Sequence, residues 1–244
     1  MSALVQVESH GEWAQIRIAR PEKRNALNQQ ARQELQAALQ TLEGRARVLV
    51  LAGSEQWFCC GADTRERAER LAAGQPDTAG AEGIELALAV KSFPGVVIGA
   101  VNGLALGFGV NLINACDLAI AASSARLGLP ELRAKAYASM SAATTSLSGL
   151  GRKRLAWLVF DTEPIDAATA CSWGLLNEVV ADDALVVRTQ ALARKIAQLD
   201  PIAITQTKLA LAQTPLEPHD WRNAMQQGQD VNPRIQNLLA ARMP

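Results

Sequence analysis

Two short runs near the start of the chain, "LVQVE" and "WAQIRI", alternate apolar with polar residues or run β-branched, with "SHGE" between them. This patterning around a glycine-bearing turn predicts an antiparallel hairpin, closed off by Pro21. The period then changes. Ala31, Leu35, Ala38, Leu39 and Leu42 fall on one face of a helix, with Asn28 placed to cap its start and Gly44 to stop it. "RVLVLAG" reads as a short buried strand, "SEQWFCCGAD" as a loop and "TRERAERLAAG" as a charged helix with a solvated outer face. "GQPDTAG" is the most linker-like piece. "EGIELALAVKSF" is helical and is broken by Pro94 and Gly95, while "VVIGAV" and "DLAIAA" are further buried strands. Strands alternating with helices predict an α/β fold with parallel pairing. Beyond Pro130 the pattern is mostly helical, interrupted by a strand at "NEVV", and the tail from Pro201 to Pro244 predicts two or three more helices.

One stretch resists this simple reading. "VNGLALGFGVNLINACD", Val101 to Asp117, is almost wholly apolar, yet it carries Gly103, Gly107 and Gly109. Buried glycine costs a strand or helix about 0.5–1 kcal/mol against alanine. Close backbone approach and free N–H groups at a helix start would both account for it. A dinucleotide fingerprint does not, because Gly107-Phe108-Gly109 is not followed by a third glycine. Neither a P-loop nor a G-x-S-x-G elbow is present. "CCGAD" and "LGFGVN" each come after a strand and precede a helix. Facing each other, two such helix starts would present N–H groups to one anionic oxygen; otherwise both are tight turns that need glycine for packing. Glu131, in "GLPELR", is either an acid held on a rigid loop facing a cavity or a first-turn glutamate favoured by the macrodipole. Asp63 and Asp117 read as caps, Trp57 and Phe58 as packing residues.

Composition narrows the classes. The chain has 244 residues, 49% hydrophobic and 20% charged, with 24 basic and 24 acidic side chains. A formal balance of zero argues against a nucleic-acid or membrane-surface role driven by charge. Four cysteines without C-x-x-C spacing and two histidines, His10 and His219, are poor material for a metal site. Adjacent Cys59 and Cys60 read as half-buried small residues rather than a redox pair. "MSALVQVESHGEW" lacks a signal pattern and no uninterrupted apolar run reaches membrane-spanning length, so the expected location is cytoplasmic.

Taken in order, "RPEKRNALN", "WFCCGAD", "GAVNGLALGFG", "ACDLAIAA", "LGLPEL" and "DAATACSWGLLNEVV" resemble the crotonase, or enoyl-CoA hydratase/isomerase, family. "WFCCGAD" is like its F-x-x-G-A-D and "GAVNGLALGFG" like its A-V-N-G-x-A-x-G-G-G. The resemblance implies an α/β fold, a crotonase-like spiral of ββα units, with residues 1–244 forming one domain. About 1–200 would be the spiral core and about 201–244 a C-terminal helical trimerisation region. It implies an acyl-CoA substrate, no cofactor apart from the coenzyme A of that substrate, no metal, and a homotrimer or hexamer. Apolar helical faces at Ile202, Leu209, Leu211, Ile235, Leu238 and Leu239 are consistent with an interface.

By position, the resemblance implies that the thioester carbonyl lies between the backbone N–H groups of Ala62 and Phe108. Gly107 and Gly109 would let the chain approach the thioester, with Phe108 replacing the family's usual middle glycine. Arg24, Ala26 and Leu27 become candidates for adenine or pantetheine contact, with Asp63 and Arg65 on the adjoining loop and Arg65 near a phosphate. Family hydratases usually carry two glutamates, at the positions of Asn111 and Glu131. Asn111 can hold a water or a carbonyl but takes no proton near neutral pH. Glu131 is then the single acid/base, which suffices to move one proton between carbons and leans the expectation toward an enoyl-CoA isomerase. The alternatives are a hydratase using Glu131 and an Asn111-held water, and a catalytically weak thioester-binding homologue. "RLGLPELRAKAYASMSAATTSL" lacks the glycine-rich run usual after that glutamate, and the tail lacks the family's F-x-E-K-R.

Overall fold

The computed structural model describes residues 3–213 and 231–241; His219 and residues 214–230 of the expected C-terminal helical region lie outside the described residues. Strands β1 (Val5–His10) and β2 (Trp13–Ile18) form the expected antiparallel hairpin, turning at Gly11 with φ +72°. Helix α1 (Gln29–Leu42) comes next, and the Asn28 side chain accepts a hydrogen bond from the Ala31 amide. Its Ala31, Leu35, Ala38, Leu39 and Leu42 face is buried, as the periodicity requires.

From here the chain repeats one move three times. A long buried strand enters the main sheet, a three-residue strand enters a second sheet, and a helix or helical turn returns. The pairs are β3 (Val48–Ala52) with β4 (Trp57–Cys59), β5 (Val96–Val101) with β6 (Leu104–Leu106), and β7 (Leu118–Ala122) with β8 (Arg126–Gly128). With β9 (Ile165–Asp166) and β10 (Glu178–Val180), the sheets run β1-β2-β3-β5-β7-β10 and β4-β6-β8-β9. All pairs from β2 to β10 in the first sheet are parallel, as are β4-β6 and β6-β8 in the second. This is the crotonase-like spiral.

The second sheet corrects the reading of "SEQWFCCGAD" as loop throughout, since it contains β4; β6 likewise lies inside the glycine-rich stretch. Gly103 makes the corner between the sheets possible: a Cβ there would sit 1.9 Å from the Gln56 carbonyl oxygen. Asn102 ties the same corner, accepting from the Gly53 amide and donating to the Glu55 carbonyl. After β4 come α2 (Thr64–Ala72) and α3 (Ala79–Ser92); after β6 comes α4 (Phe108–Ala115). Beyond β8 a 3₁₀ turn at Pro130–Ala134 leads to α5 (Ser139–Leu147), α6 (Arg152–Asp161) and, past β9, α7 (Ala167–Ser172). Helix α8 (Leu185–Ala197) covers the main sheet, and α9 (Pro201–Gln213) and α10 (Val231–Ala240) form the described C-terminal helices. Asp117 is not a helix cap: its carboxylate accepts from the Val97 amide and from Lys208 of α9, 2.7 Å away.

Candidate active site

Because β4, β6 and β8 lie side by side and parallel, the loops at their carboxyl ends emerge at one edge of the second sheet. Those loops carry Ala62, Phe108 and Glu131 in turn. The carboxyl ends of parallel strands are where α/β folds place ligands.

The first of these loops is held by backbone pairing. The Leu27 amide donates to the Gly61 carbonyl at 2.8 Å and the Asp63 amide to the Leu27 carbonyl at 3.1 Å. This pairing turns the Ala62 N–H the other way, and among the described residues it meets no acceptor. Asp63 caps α2 by accepting from the Glu66 amide, and its other oxygen takes Arg20 Nη1 at 2.7 Å. Burial works against the Asp63 carboxylate, yet the Glu66 amide and Arg20 guanidinium hold its pKa below the ordinary value. Asn25, fully buried with φ +54°, ties the preceding segment by donating to the Trp57 carbonyl at 2.6 Å and accepting from the Arg20 amide.

The second loop begins α4. Gly107 adopts φ +52° and donates to the Gly128 carbonyl at 2.9 Å. Phe108 is the first helical residue, so its N–H has no partner within the helix, and none lies within reach among the described residues. The two loops adjoin: a Cβ built at Gly61 would be 3.6 Å from the Phe108 nitrogen. A Cβ at Gly109 would be 2.0 Å from the Cys59 carbonyl oxygen, so α4 reaches β4 only because position 109 has no side chain.

Glu131 occupies the first turn of the 3₁₀ segment after β8, and its Oε1 would lie 2.9 Å from a Cβ at Gly107. Asn111, one turn into α4, is 1% exposed. Among the described residues, three buried side-chain polar atoms lack any hydrogen-bond partner, and Asn111 Oδ1 and Glu131 Oε2 are two of them. Burial raises the Glu131 pKa, opposed in part by hydrogen bonds from its own amide and from the Ser141 hydroxyl of α5. The arrangement offers two unpaired N–H donors, one carboxyl of raised basicity and one amide. Such a set can stabilise an oxyanion and move a proton beside it.

The other expected site residues sit at the rim or beneath it. Arg24 is exposed, with its guanidinium 5.5 Å from the Trp57 ring centroid. Ala26 is half-buried and its carbonyl accepts from Arg20. Leu27 is 1% exposed, so it contributes backbone rather than side chain. Arg65 is exposed on α2 and pairs with Glu69. Arg20 and Asn25 also support the site, through Asp63 and Trp57 at 43 and 32 residues along the chain, and Ser141 supports it from a different element, α5; local patterning reveals none of these contacts. All four cysteines are free, and burial pushes the Cys59 thiol up to about 12 and that of Cys60 to about 11. No group of His, Cys, Asp and Glu suited to a metal occurs among the described residues. A cleft of about 950 Å3 lies elsewhere, between α9 and the ends of α3 and α8.

Comparison with known proteins bears on this geometry. The family model for enoyl-CoA hydratase/isomerase matches residues 8–235. A probable enoyl-CoA hydratase of Mycobacterium bovis is 36% identical over 80% of this chain and 77% of its own length. The 2,3-dehydroadipyl-CoA hydratase of Escherichia coli is 32% identical over 93% of this chain and 86% of its own. Among solved structures, an enoyl-CoA hydratase of Bacillus anthracis superposes with a TM-score of 0.84 at 30% identity, covering 97% of this chain and 95% of that one.

Proposed function

The chain belongs to the enoyl-CoA hydratase/isomerase family, and within it we propose an enzyme that shifts the double bond of an enoyl-CoA thioester, with Glu131 as its single acid/base. The observation that carries this reading is the pairing of a basicity-raised carboxyl at Glu131, whose Oε2 is buried without a partner, with an amide, not a second carboxyl, at Asn111. The thioester oxygen accepts from the Ala62 and Phe108 N–H groups. Glu131 removes a proton from Cα of a 3-enoyl thioester, and the electron pair moves into a dienolate whose oxygen those donors stabilise. The new carboxylic acid then delivers the same proton to Cγ, leaving the 2-enoyl product and the carboxylate restored. Asn111 orients the chain and carries no proton. Asp63 cannot serve as a second base, since both its oxygens are committed.

Hydration is the second reading. It is favoured by Asn111 Oδ1, an acceptor without a partner that suits a water, and by relatives named as hydratases. One assay separates the two: isomerisation of a 3-enoyl-CoA raises the absorbance of the conjugated thioester, whereas hydration of a 2-enoyl-CoA lowers it. The expected outcome is the rise. Rapid hydration of crotonyl-CoA without isomerisation would transfer the site to the second reading, and turnover of neither would leave a thioester binder.

Arg24, Ala26 and Arg65 are assigned to the coenzyme A arm, on the rim next to Ala62. Assembly as a homotrimer or hexamer through residues 201–244 is supported by Leu209, Leu211 and Leu238, which are 46%, 70% and 39% exposed in the isolated chain. A cytoplasmic location stays a proposal from the sequence; no described helix is long and apolar enough to cross a membrane.

A further inference from the structure

Phe108 does more than begin a helix. Its ring must go somewhere, and it goes to α3. A Cβ built at Gly83 would lie 3.3 Å from Phe108 Cε2 and 3.3 Å from the methyl carbon of Met140, with the Met140 sulfur at 3.6 Å. Three helices thus converge, and ring and thioether fill the space that any side chain at position 83 would take. Phe108 is 7% exposed, and Met140 packs onto the same core.

The location matters because Met140 directly precedes Ser141, whose side chain faces Glu131. A thioester carbonyl seated on the Ala62 and Phe108 N–H groups presents its Cα to Glu131. Phe108 begins α4 and Met140 lies in the first turn of α5, so an acyl chain that ran past Glu131 into the seam between these helices would meet the ring and the thioether. We propose that Phe108 and Met140, seated against Gly83, form the end wall of the acyl site and restrict it to coenzyme A thioesters of short acyl groups. This rests on the assignment of Ala62, Phe108 and Glu131 to the thioester.

The test measures calorimetric affinities for butyryl-, hexanoyl-, octanoyl- and decanoyl-CoA, which bind without turning over. Wild type, Phe108→Ala, Met140→Ala, Gly83→Ala and the Gly83→Ala/Phe108→Ala pair are compared, each checked for folding by circular dichroism. Wild type should favour butyryl-CoA. Since room for a methylene in an apolar pocket is worth about tenfold or more, Phe108→Ala and Met140→Ala should each raise octanoyl over butyryl by about that factor. Gly83→Ala should shift the preference further toward butyryl, and Phe108→Ala in the same chain should relieve it. Met140→Ala keeps the test decisive if the Phe108 variant fails to fold. Wild type binding decanoyl-CoA as well as butyryl-CoA, or a chain-length ranking unmoved in the variants, overturns the wall while leaving the thioester site standing. Failure of every protein to bind any acyl-CoA overturns both.

Discussion

Two of the sets of buried and half-buried polar groups among the described residues are treated oppositely. Beneath the Ala62 loop every one is matched: Arg20 with Asp63, Asn25 with three backbone groups, and Arg32 with Glu82, which also accepts from Gln29 and Thr78. Around the start of α4, Asn111 Oδ1, Glu131 Oε2 and the N–H of buried Phe108 are left open, beside the unpaired N–H of Ala62, an exposed residue. Leaving a buried polar atom unmatched costs about 1–3 kcal/mol. The matched set stabilises the frame; the unmatched set is a place where something else must complete the hydrogen bonding.

The largest expected effect separates the two sets directly. Glu131→Gln keeps the shape and removes the base, so kcat on the true substrate should fall by about 10²–10⁴, with the melting temperature held or raised. Arg20→Met should do the reverse: with both side chains 11% exposed, it strands Asp63 and should lower stability by about 3–5 kcal/mol. Denaturant titration and steady-state kinetics on the two variants check both. A catalytic loss on Arg20→Met without a stability loss would break the contrast.

Much of the frame was legible in the sequence because its signals are local. The hairpin, α1 with its Asn28 cap, and the buried strands β3, β5 and β7 can all be read from pattern within a few residues. Strands β4, β6 and β8 were not legible, since three residues carry no period and their partners come from elsewhere in the chain. The site divides the same way. Glu131 and the two small-residue loops, "CCGAD" and "LGFGVN", stood out as residues, whereas Asn25, the Arg20–Asp63 pair and the destination of the Phe108 ring depend on contacts made only in the folded chain. Gly83, which gives that ring its space, looks in the sequence like an ordinary glycine within a helix.

Asn111→Glu sharpens the comparison by adding a second carboxyl to the open set. Hydration of crotonyl-CoA should become measurable, tracked as loss of conjugated-enoyl absorbance; its absence would show that position 111 does not set the reaction type. The pH dependence of the wild type is the next test. Burial disfavours ionised Glu131, so the acid limb of kcat/KM should lie above the ordinary carboxylate range. The sign for stability is opposite to that of activity. A carboxyl with a raised folded pKa contributes stability below its unfolded value and loses it as pH rises through the folded one. Glu131→Gln should therefore gain stability over wild type toward neutral pH and lose that advantage in acid, a difference read by denaturant titration at several pH values.

The smallest effect concerns the rim, where neither burial nor matching operates. Arg65 is 81% exposed in its side chain and pairs with Glu69 one turn along α2, 64% exposed. A pair of this kind contributes about 0.3–0.5 kcal/mol, so Arg65→Ala should leave the melting temperature nearly where it was. If Arg65 also meets a phosphate of the coenzyme A arm, the loss appears in binding. KM should rise by about threefold to tenfold with kcat unchanged, because the contact is equally strong in ground and transition states. The rise should shrink as salt is added, since exposed charges are screened. A KM unmoved at low ionic strength would make Arg65 an ordinary solvated charge and confine the coenzyme A contacts to the Arg24 side of the Ala62 loop.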